Sequence, residues 1–192
     1  MVTHGTQTIT REIAQGGTFS EPRNGGVSKL RLTFSSPIKA SSVSAANVVK
    51  CGKDASGNPV DLSDITVTTT VLSGNTAVDI NFSSTLGDYA RYRVRLNGVQ
   101  DLACHTITTN NERIFTSLWG DATGDLRVNV TDIGGVRSLE GTGPPINPGA
   151  TNGVAQVRSD VETNNQIDTA DTALVTSKAG NDARFITDPT CP

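Results

Sequence analysis

The chain has 192 residues, a formal charge of −3, 18% charged residues and only 4% aromatic ones. That length suits one large or two small domains with a real core, and scattered basic residues with so small a net charge argue against a nucleic-acid partner. No apolar run reaches membrane-spanning length, and few aromatics beside abundant Gly, Ser, Thr and Asn favour a turn-rich β protein over a helical enzyme.

Residues 1 to 118 read as strands. The opening Met1-Val2-Thr3-His4 has no charged region followed by an apolar one, so the chain is either intracellular or written without its leader. Lys29-Leu30-Arg31-Leu32-Thr33-Phe34 alternates, with Leu30, Leu32 and Phe34 on one face, and Ser35-Ser36-Pro37 stops it. Ser41 to Val49 holds small residues compatible with one helical turn. Ile65 to Val71 is rich in β-branched residues and predicts a second strand. Ser73-Gly74-Asn75 turns the chain into a third, with Val78, Ile80 and Phe82 on one side. Tyr92, Val94 and Leu96 then alternate with Arg91, Arg93 and Arg95. The arginines read as a solvated strand face, with an anion-binding patch as the rival reading. Asn97-Gly98 turns the chain, and Ile107 and Ile114-Phe115 suggest closing strands.

Short strands, turns and no intervening helices predict an antiparallel sandwich. Here Leu32-Thr33-Phe34-Ser35-Ser36-Pro37-Ile38 and Tyr92 to Ala103 resemble bacterial immunoglobulin-like domains of surface and secreted proteins. Where those domains usually continue with a Gly-Asn turn, this chain has Cys104-His105. Cys51, Cys104 and Cys191 lack zinc-ligand spacing, and a Cys51–Cys104 disulfide stands beside the alternative of two unpaired thiols.

This part carries no nucleophile elbow, phosphate-cradling glycine motif or helical His-Glu metal pair. Asp61, Asp64, Asp79 and Asp88 are read as solvated carboxylates rather than a glycosidase pair. Phe34, Phe82 and Tyr92 fall on core faces, leaving Phe19 and Tyr89 in loops, which is thin material for a sugar-stacking platform. Trp119 then delivers the chain without a linker to the second half, either stacking on a ligand or packing at the junction.

The second half is organised by two 12-residue segments with oxygen-bearing side chains in the same phase, a spacing that lets a loop fold around a hard cation. In the first, Asp121, Thr123, Asp125, Asn129 and Asp132 offer side-chain oxygens and Arg127 its carbonyl. In the second the same roles fall to Asp160, Glu162, Asn164, Asp168 and Asp171, with Gln166 giving the carbonyl. All-oxygen donors favour calcium over zinc or copper, and two Ca²⁺ would move the formal charge to about +1. A helix is predicted after each loop, through Ile133, Val136 and Leu139 and through Leu174, Val175 and Lys178, with Gly180-Asn181 as a stop. Val128 and Ile167, both at position 8, are placed to pair as a short β bridge.

Gly120 to Asp125 with Val128 to Asp132, and Ser159-Asp160-Val161 with Ile167 to Asp171, resemble the repeats of type I dockerin modules over about residues 119–186. Position 12 is Asp where an EF-hand usually has Glu, and a strand rather than a helix is expected to precede the loop, which separates the pattern from an EF-hand. The resemblance implies two structural calcium ions and a cohesin-type partner, recognised through Val130, Thr131, Arg137, Ser138, Thr169, Ala170, Thr176 and Ser177. Leu126 and Asn165 stand where a loop of this kind favours glycine, and a left-handed Leu is strained by about 1–2 kcal/mol. With Gly134-Gly135 behind it and fewer carboxylates, the first site is expected to be the weaker one and to act as a junction. The sequence therefore predicts an Ig-like β-sandwich over 1–118 followed by a calcium-binding dockerin-like domain over 119–192. The pair is expected to be secreted or at the cell surface and non-catalytic. The alternative is a carbohydrate-binding module, or the C-terminal fragment of a polysaccharide-degrading enzyme with the second half as tether.

Overall fold

Alternation along the strands decides which side chains meet, and the computed structural model describes residues 2–4, 7–9, 20–109, 111–141 and 153–191. Strands β1 (Val2–His4) and β2 (Gln7–Ile9) form an antiparallel pair. Then come β3 (Ser20–Glu21), β4 (Lys29–Thr33), β5 (Val48–Asp54), β6 (Val67–Val71), β7 (Ala77–Phe82), β8 (Ala90–Leu96) and β9 (Glu112–Ser117). One sheet has the order β3-β9-β8-β5, with β3 parallel to β9, and the other the order β4-β7-β6. Leu30, Leu32, Val78, Ile80 and Phe82 of one sheet and Tyr92, Val94, Leu96 and Phe115 of the other are buried in one core. The small-residue stretch after Ile38 forms two 3₁₀ turns, Ala40–Ser42 and Ala45–Asn47. Phe19 lies outside the described residues, as do residues 142–149 of the insert after the first helix.

The outward strand faces are less plainly solvated than alternation suggests. Asp79, opposite Arg31 on the neighbouring strand, is only 5% exposed. Its two oxygens accept from Arg31 Nε at 2.5 Å and Nη2 at 2.8 Å, with Lys29 Nζ at 3.7 Å. Asp79 is thus an ion-pair centre, and Arg31 holds its carboxyl below the usual carboxylate range. A depressed folded-state pKa gives stability that is full above the unfolded value near pH 4 and is lost as pH falls through the folded value. Asp79→Asn should cost about 1–3 kcal/mol at pH 6. In urea melts the gap to wild type should narrow as pH falls below the unfolded value near 4 and the folded-state carboxyl takes up its proton; a gap independent of pH contradicts this role. Arg91 and Arg95 are likewise engaged, by Asp188 at 2.6 Å and Glu112 at 2.7 Å. Asp61 stays exposed as expected.

Leu118 carries the chain directly from β9 into a second buried cluster with Leu126, Val128, Val136, Val157, Val161, Ile167, Val175, Ala183 and Ile186. Three helices surround it: α1 (Val130–Arg137), α2 (Gly153–Ser159) and α3 (Thr169–Lys178), with α1 and α3 packed together. Helix α2 leads straight into Asp160, so a helix precedes the second loop where a strand was expected, and only the first loop follows a strand, β9. Among the described residues no helix is long and apolar enough to cross a membrane. Gly134 and Gly135 lie inside α1 with open space where a Cβ would go. Gly134→Ala should therefore raise stability by about 1 kcal/mol in a thermal melt, from helix propensity alone.

Two pairings differ from expectation. Cys51 is joined to Cys191, and Cys104 is free and exposed. Cys104 sits in the turn from Asp101 to His105, near Lys39 Nζ at 3.2 Å, beyond the end of β8. Cys51 is mid-way along the edge strand β5, where the C-terminal tail reaches it through Lys53–Thr187 and Arg91–Asp188 contacts. Nor do Val128 and Ile167 bridge each other. Val128 N donates to Asn181 O and Val128 O accepts from Gly180 N, while Ile167 O accepts from Gly141 N. Each loop is thus bonded to the segment that follows the other loop's helix, an exchange that locks the two halves of the module together.

Candidate metal centre

Both loops fold by one scheme of carboxylate-to-amide hydrogen bonds. At position 1, Asp121 accepts from the amides of Asp125 and Leu126 at 3.1 and 3.0 Å, and Asp160 from those of Asn164 and Asn165, both at 3.1 Å. Position 5 accepts from the amide of position 7: Asp125 from Arg127 and Asn164 from Gln166. Position 12 reaches back to positions 3 and 9. Asp132 takes Thr123 N at 2.9 Å and Asn129 N at 2.8 Å, and Asp171 takes Glu162 N at 3.0 Å and Asp168 N at 2.9 Å. Position 9 is the N-cap of the following helix, with position 12 completing a capping box: Asn129 with Asp132 for α1, Asp168 with Asp171 for α3.

The backbone needs two left-handed residues to make this turn. Position 6 has φ 67° at Leu126 and 71° at Asn165, as the sequence anticipated. Position 4 has φ 85° at Gly124 and 65° at Thr163, which it did not. At Gly124 a Cβ would also lie 3.1 Å from Arg158 Nη2, so space as well as conformation favours glycine there.

Carboxylate oxygens of Asp121, Asp125 and Asp132 all lie within 4.8 Å of one another, the one such group among the described residues. Oxygens that share a cation at 2.3–2.6 Å cannot stand more than about 5 Å apart, so this set fits a single hard ion. Thr123 Oγ1 donates to Asp132 at the rim of the set, and the exposed Arg127 side chain turns away towards Asp182. The second loop carries more acids but gathers them less tightly. Glu162 instead accepts from the Asn164 amide group. The sequence ranks the loops by charge and the geometry ranks them by convergence, in the opposite order.

Electrostatics give the acids a reason to hold a cation. Burial pushes the carboxyl of Asp121 above its ordinary range. Asp160 is pushed up to about 6 by burial and then by the charge of Asp171. Glu162 and Asp171 shift upward as well, burial leading in each case. A divalent ion supplies the opposite charge that these crowded oxygens lack.

Residues outside the motifs hold the module to the sandwich. Asp88 accepts from Trp119 N at 2.7 Å and pairs with Lys178 Nζ at 2.8 Å, and that ammonium lies 4.9 Å from the Trp119 ring centre. Trp119 therefore packs at the junction, and Asp88 is a tie rather than a free carboxylate. Tyr89, expected in a loop, has its hydroxyl bonded to both O and N of Asp182. Arg158, Ser20 and the buried pair Glu21–Arg23 also lie at this interface. No periodicity marks them, because their role follows from which loop faces which strand.

The bacterial Ig-like domain family matches residues 18–117. No curated protein matches the chain. Among solved structures, domains 1–6 of the surface layer protein SbsC align at 17% identity and TM-score 0.37, over 52% of this chain and 13% of that one. The crystal structure of the S-layer protein rSbsC aligns at 16% and 0.38, over 55% of this chain and 13% of that one. The N-terminal part of the bacterial S-layer protein SbsC aligns at 16% and 0.39, over 55% and 23%. The chain thus spans less than a quarter of the length of these proteins.

Proposed function

The chain belongs to the bacterial Ig-like domain family through residues 18–117, and from that premise we propose that it is a non-catalytic interaction protein of the bacterial cell surface. Its sandwich acts as spacer or adhesion domain, and its second half is a calcium-stabilised, dockerin-like docking module. The observation that carries this reading is the single hydrogen-bond scheme shared by the loops Asp121–Asp132 and Asp160–Asp171, with left-handed residues at the same two positions. Chance Asx turns have no reason to repeat position by position.

Asp121, Asp125 and Asp132 with Thr123, Asn129 and the Arg127 carbonyl would hold one calcium ion. Asp160, Glu162, Asn164, Asp168 and Asp171 with the Gln166 carbonyl would hold the other. Bound there, the ion neutralises the loop acids; the chain's own contribution is to pre-form each turn and start each helix. The Cys51–Cys191 disulfide suits an oxidising, extracytoplasmic setting.

A cohesin-type protein is the proposed partner. Val130, Thr131, Arg137, Ser138, Thr169, Ala170, Thr176 and Ser177 are all exposed, and Val130 is 78% exposed, an apolar anchor without a cover among the described residues. The sugar-binding alternative has less support: Phe34, Phe82, Tyr92 and Phe115 are buried, and Phe185 is the one exposed aromatic among the described residues. The test is biolayer interferometry of the whole chain against a panel of cohesin domains. Calcium-dependent binding that Val130→Asp abolishes is expected. Silence across the panel, with binding to a glycan array instead, selects the carbohydrate reading.

A further inference from the structure

Asp121 opens the first loop, and the amides of its own loop are not its only partners. It is fully buried, whereas Asp125 is exposed. Two groups from outside the loop meet it. Ser20, on β3 of the sandwich, donates its hydroxyl to Asp121 Oδ2 at 2.5 Å. Arg158, in α2 ahead of the second loop, brings its guanidinium within 3.9 Å of the same oxygen.

Arg158 is fixed by a set of contacts that leaves it little freedom. Its Nε donates to Ala122 O at 2.7 Å, its Nη1 to Ser20 O at 3.0 Å, and its Nη2 to Ser20 Oγ at 3.0 Å and to Asp121 O. One side chain therefore holds the backbone of the first loop, the strand β3 and the helix leading into the second loop. A lysine could not reproduce this, because it lacks the planar fork.

The strand leaving Ser20 continues between the two loops. Pro22 O accepts from Gly120 N at 2.7 Å, just ahead of the first loop, and Asn24 N donates to Val161 O at 2.6 Å, inside the second. On either side of Pro22 the buried Glu21 and Arg23 pair at 2.6 Å. Charges thus alternate from Asp121 through Arg158, Glu21 and Arg23 towards Asp160. The neighbouring charges act on one another along this path: Glu21 on Arg158, and Arg23 on Asp160.

We propose that Ser20 and Arg158 are positioning residues of the first cation site, so that this site is assembled from three parts of the chain: its own loop, the sandwich and the second repeat. The inference rests on the calcium reading above. It goes beyond that reading by making the affinity of the first site depend on residues that no loop motif contains. Removing a group that orients a metal ligand typically weakens metal binding about 10–100-fold.

The test is calcium calorimetry on the whole chain, comparing wild type with Ser20→Ala and Arg158→Lys. Asp125→Asn, at an exposed position of the first loop, identifies which heat belongs to that site. Ser20→Ala and Arg158→Lys are each expected to weaken that same site about 10–100-fold and leave the other unchanged. Melting of the calcium-free proteins is followed in parallel. Lower melting temperatures with both affinities unchanged would show a merely structural role and overturn the inference, leaving the calcium reading intact. A wild type that takes up no calcium overturns both.

Discussion

Removing the Cys51–Cys191 disulfide should lower the stability of the chain by about 5 kcal/mol, the largest effect expected of any single change. The two cysteines are 140 residues apart, so the bond closes about three quarters of the 192-residue chain into one loop and removes much of the freedom of the unfolded state. In the folded state the tail that carries Cys191 has few apolar anchors. Ile186 is buried in the second cluster and Pro189 is buried further on, and the tail is otherwise held by polar contacts such as Arg91–Asp188 and Lys53–Thr187. Exposed pairs of this kind contribute little each, so they cannot replace the covalent tie. Guanidinium unfolding of Cys51→Ser, in a Cys104→Ser background that prevents thiol exchange, should show the loss together with a steeper slope, because the unlinked denatured chain exposes more surface. A difference below about 1 kcal/mol would contradict the tail's placement across β5.

Asp132→Ala should follow, at about 3–5 kcal/mol in calcium-free protein. Asp132 is fully buried and accepts from Thr123 N, Thr123 Oγ1 and Asn129 N. Its loss leaves those donors without their acceptor and removes the capping box of α1, each orphaned group costing about 1–3 kcal/mol. Asp171→Ala should do the same to the second repeat, where Glu162 N and Asp168 N lose their acceptor. The consequences differ by place: the first loop adjoins the sandwich through Ser20 and Arg158, and the second adjoins α1 through Gly141 and the Glu140–Thr172 bond. Limited proteolysis should therefore cut Asp132→Ala first near Trp119 and Asp171→Ala first within residues 160–180. The exposed Asp125 is the control: Asp125→Ala should change calcium-free stability by less than about 0.5 kcal/mol. Asp125→Ala as damaging as Asp132→Ala would mean that the loop acids are structural rather than reserved for an ion.

Much of this was legible because two periods are easy to see. Leu30 and Leu32, Val78 to Phe82, and Tyr92 to Leu96 alternate, and each set is buried. The loops were legible because an oxygen set recurred in phase, and the capping residues Asn129 and Asp168 stand in the motif itself. Alternation names the face a residue points from, however, and not what covers that face. Asp79 and Arg91 point outward and are paired all the same, one by a cross-strand arginine and the other by the C-terminal tail. Helix α2 escaped notice because it is short and Gly153-Val154-Ala155-Gln156-Val157-Arg158-Ser159 has two valines and a glycine, a poor helical signature. Thr163 gave no sign of its left-handed backbone, which is imposed by the loop and not by the residue. Cys191 lies in a tail without period, and nothing in the pattern shows that this tail crosses β5 beside Cys51.

The central claim is that the two loops are calcium sites that stabilise the second half of the chain. Isothermal calorimetry of the disulfide-bonded protein with Ca²⁺, paired with melting in calcium and in chelator, tests it most directly. The account predicts uptake of about two ions per chain and a melting temperature that rises with calcium, because a ligand held by the folded state alone stabilises it. No heat of binding and the same melting temperature in chelator would contradict it.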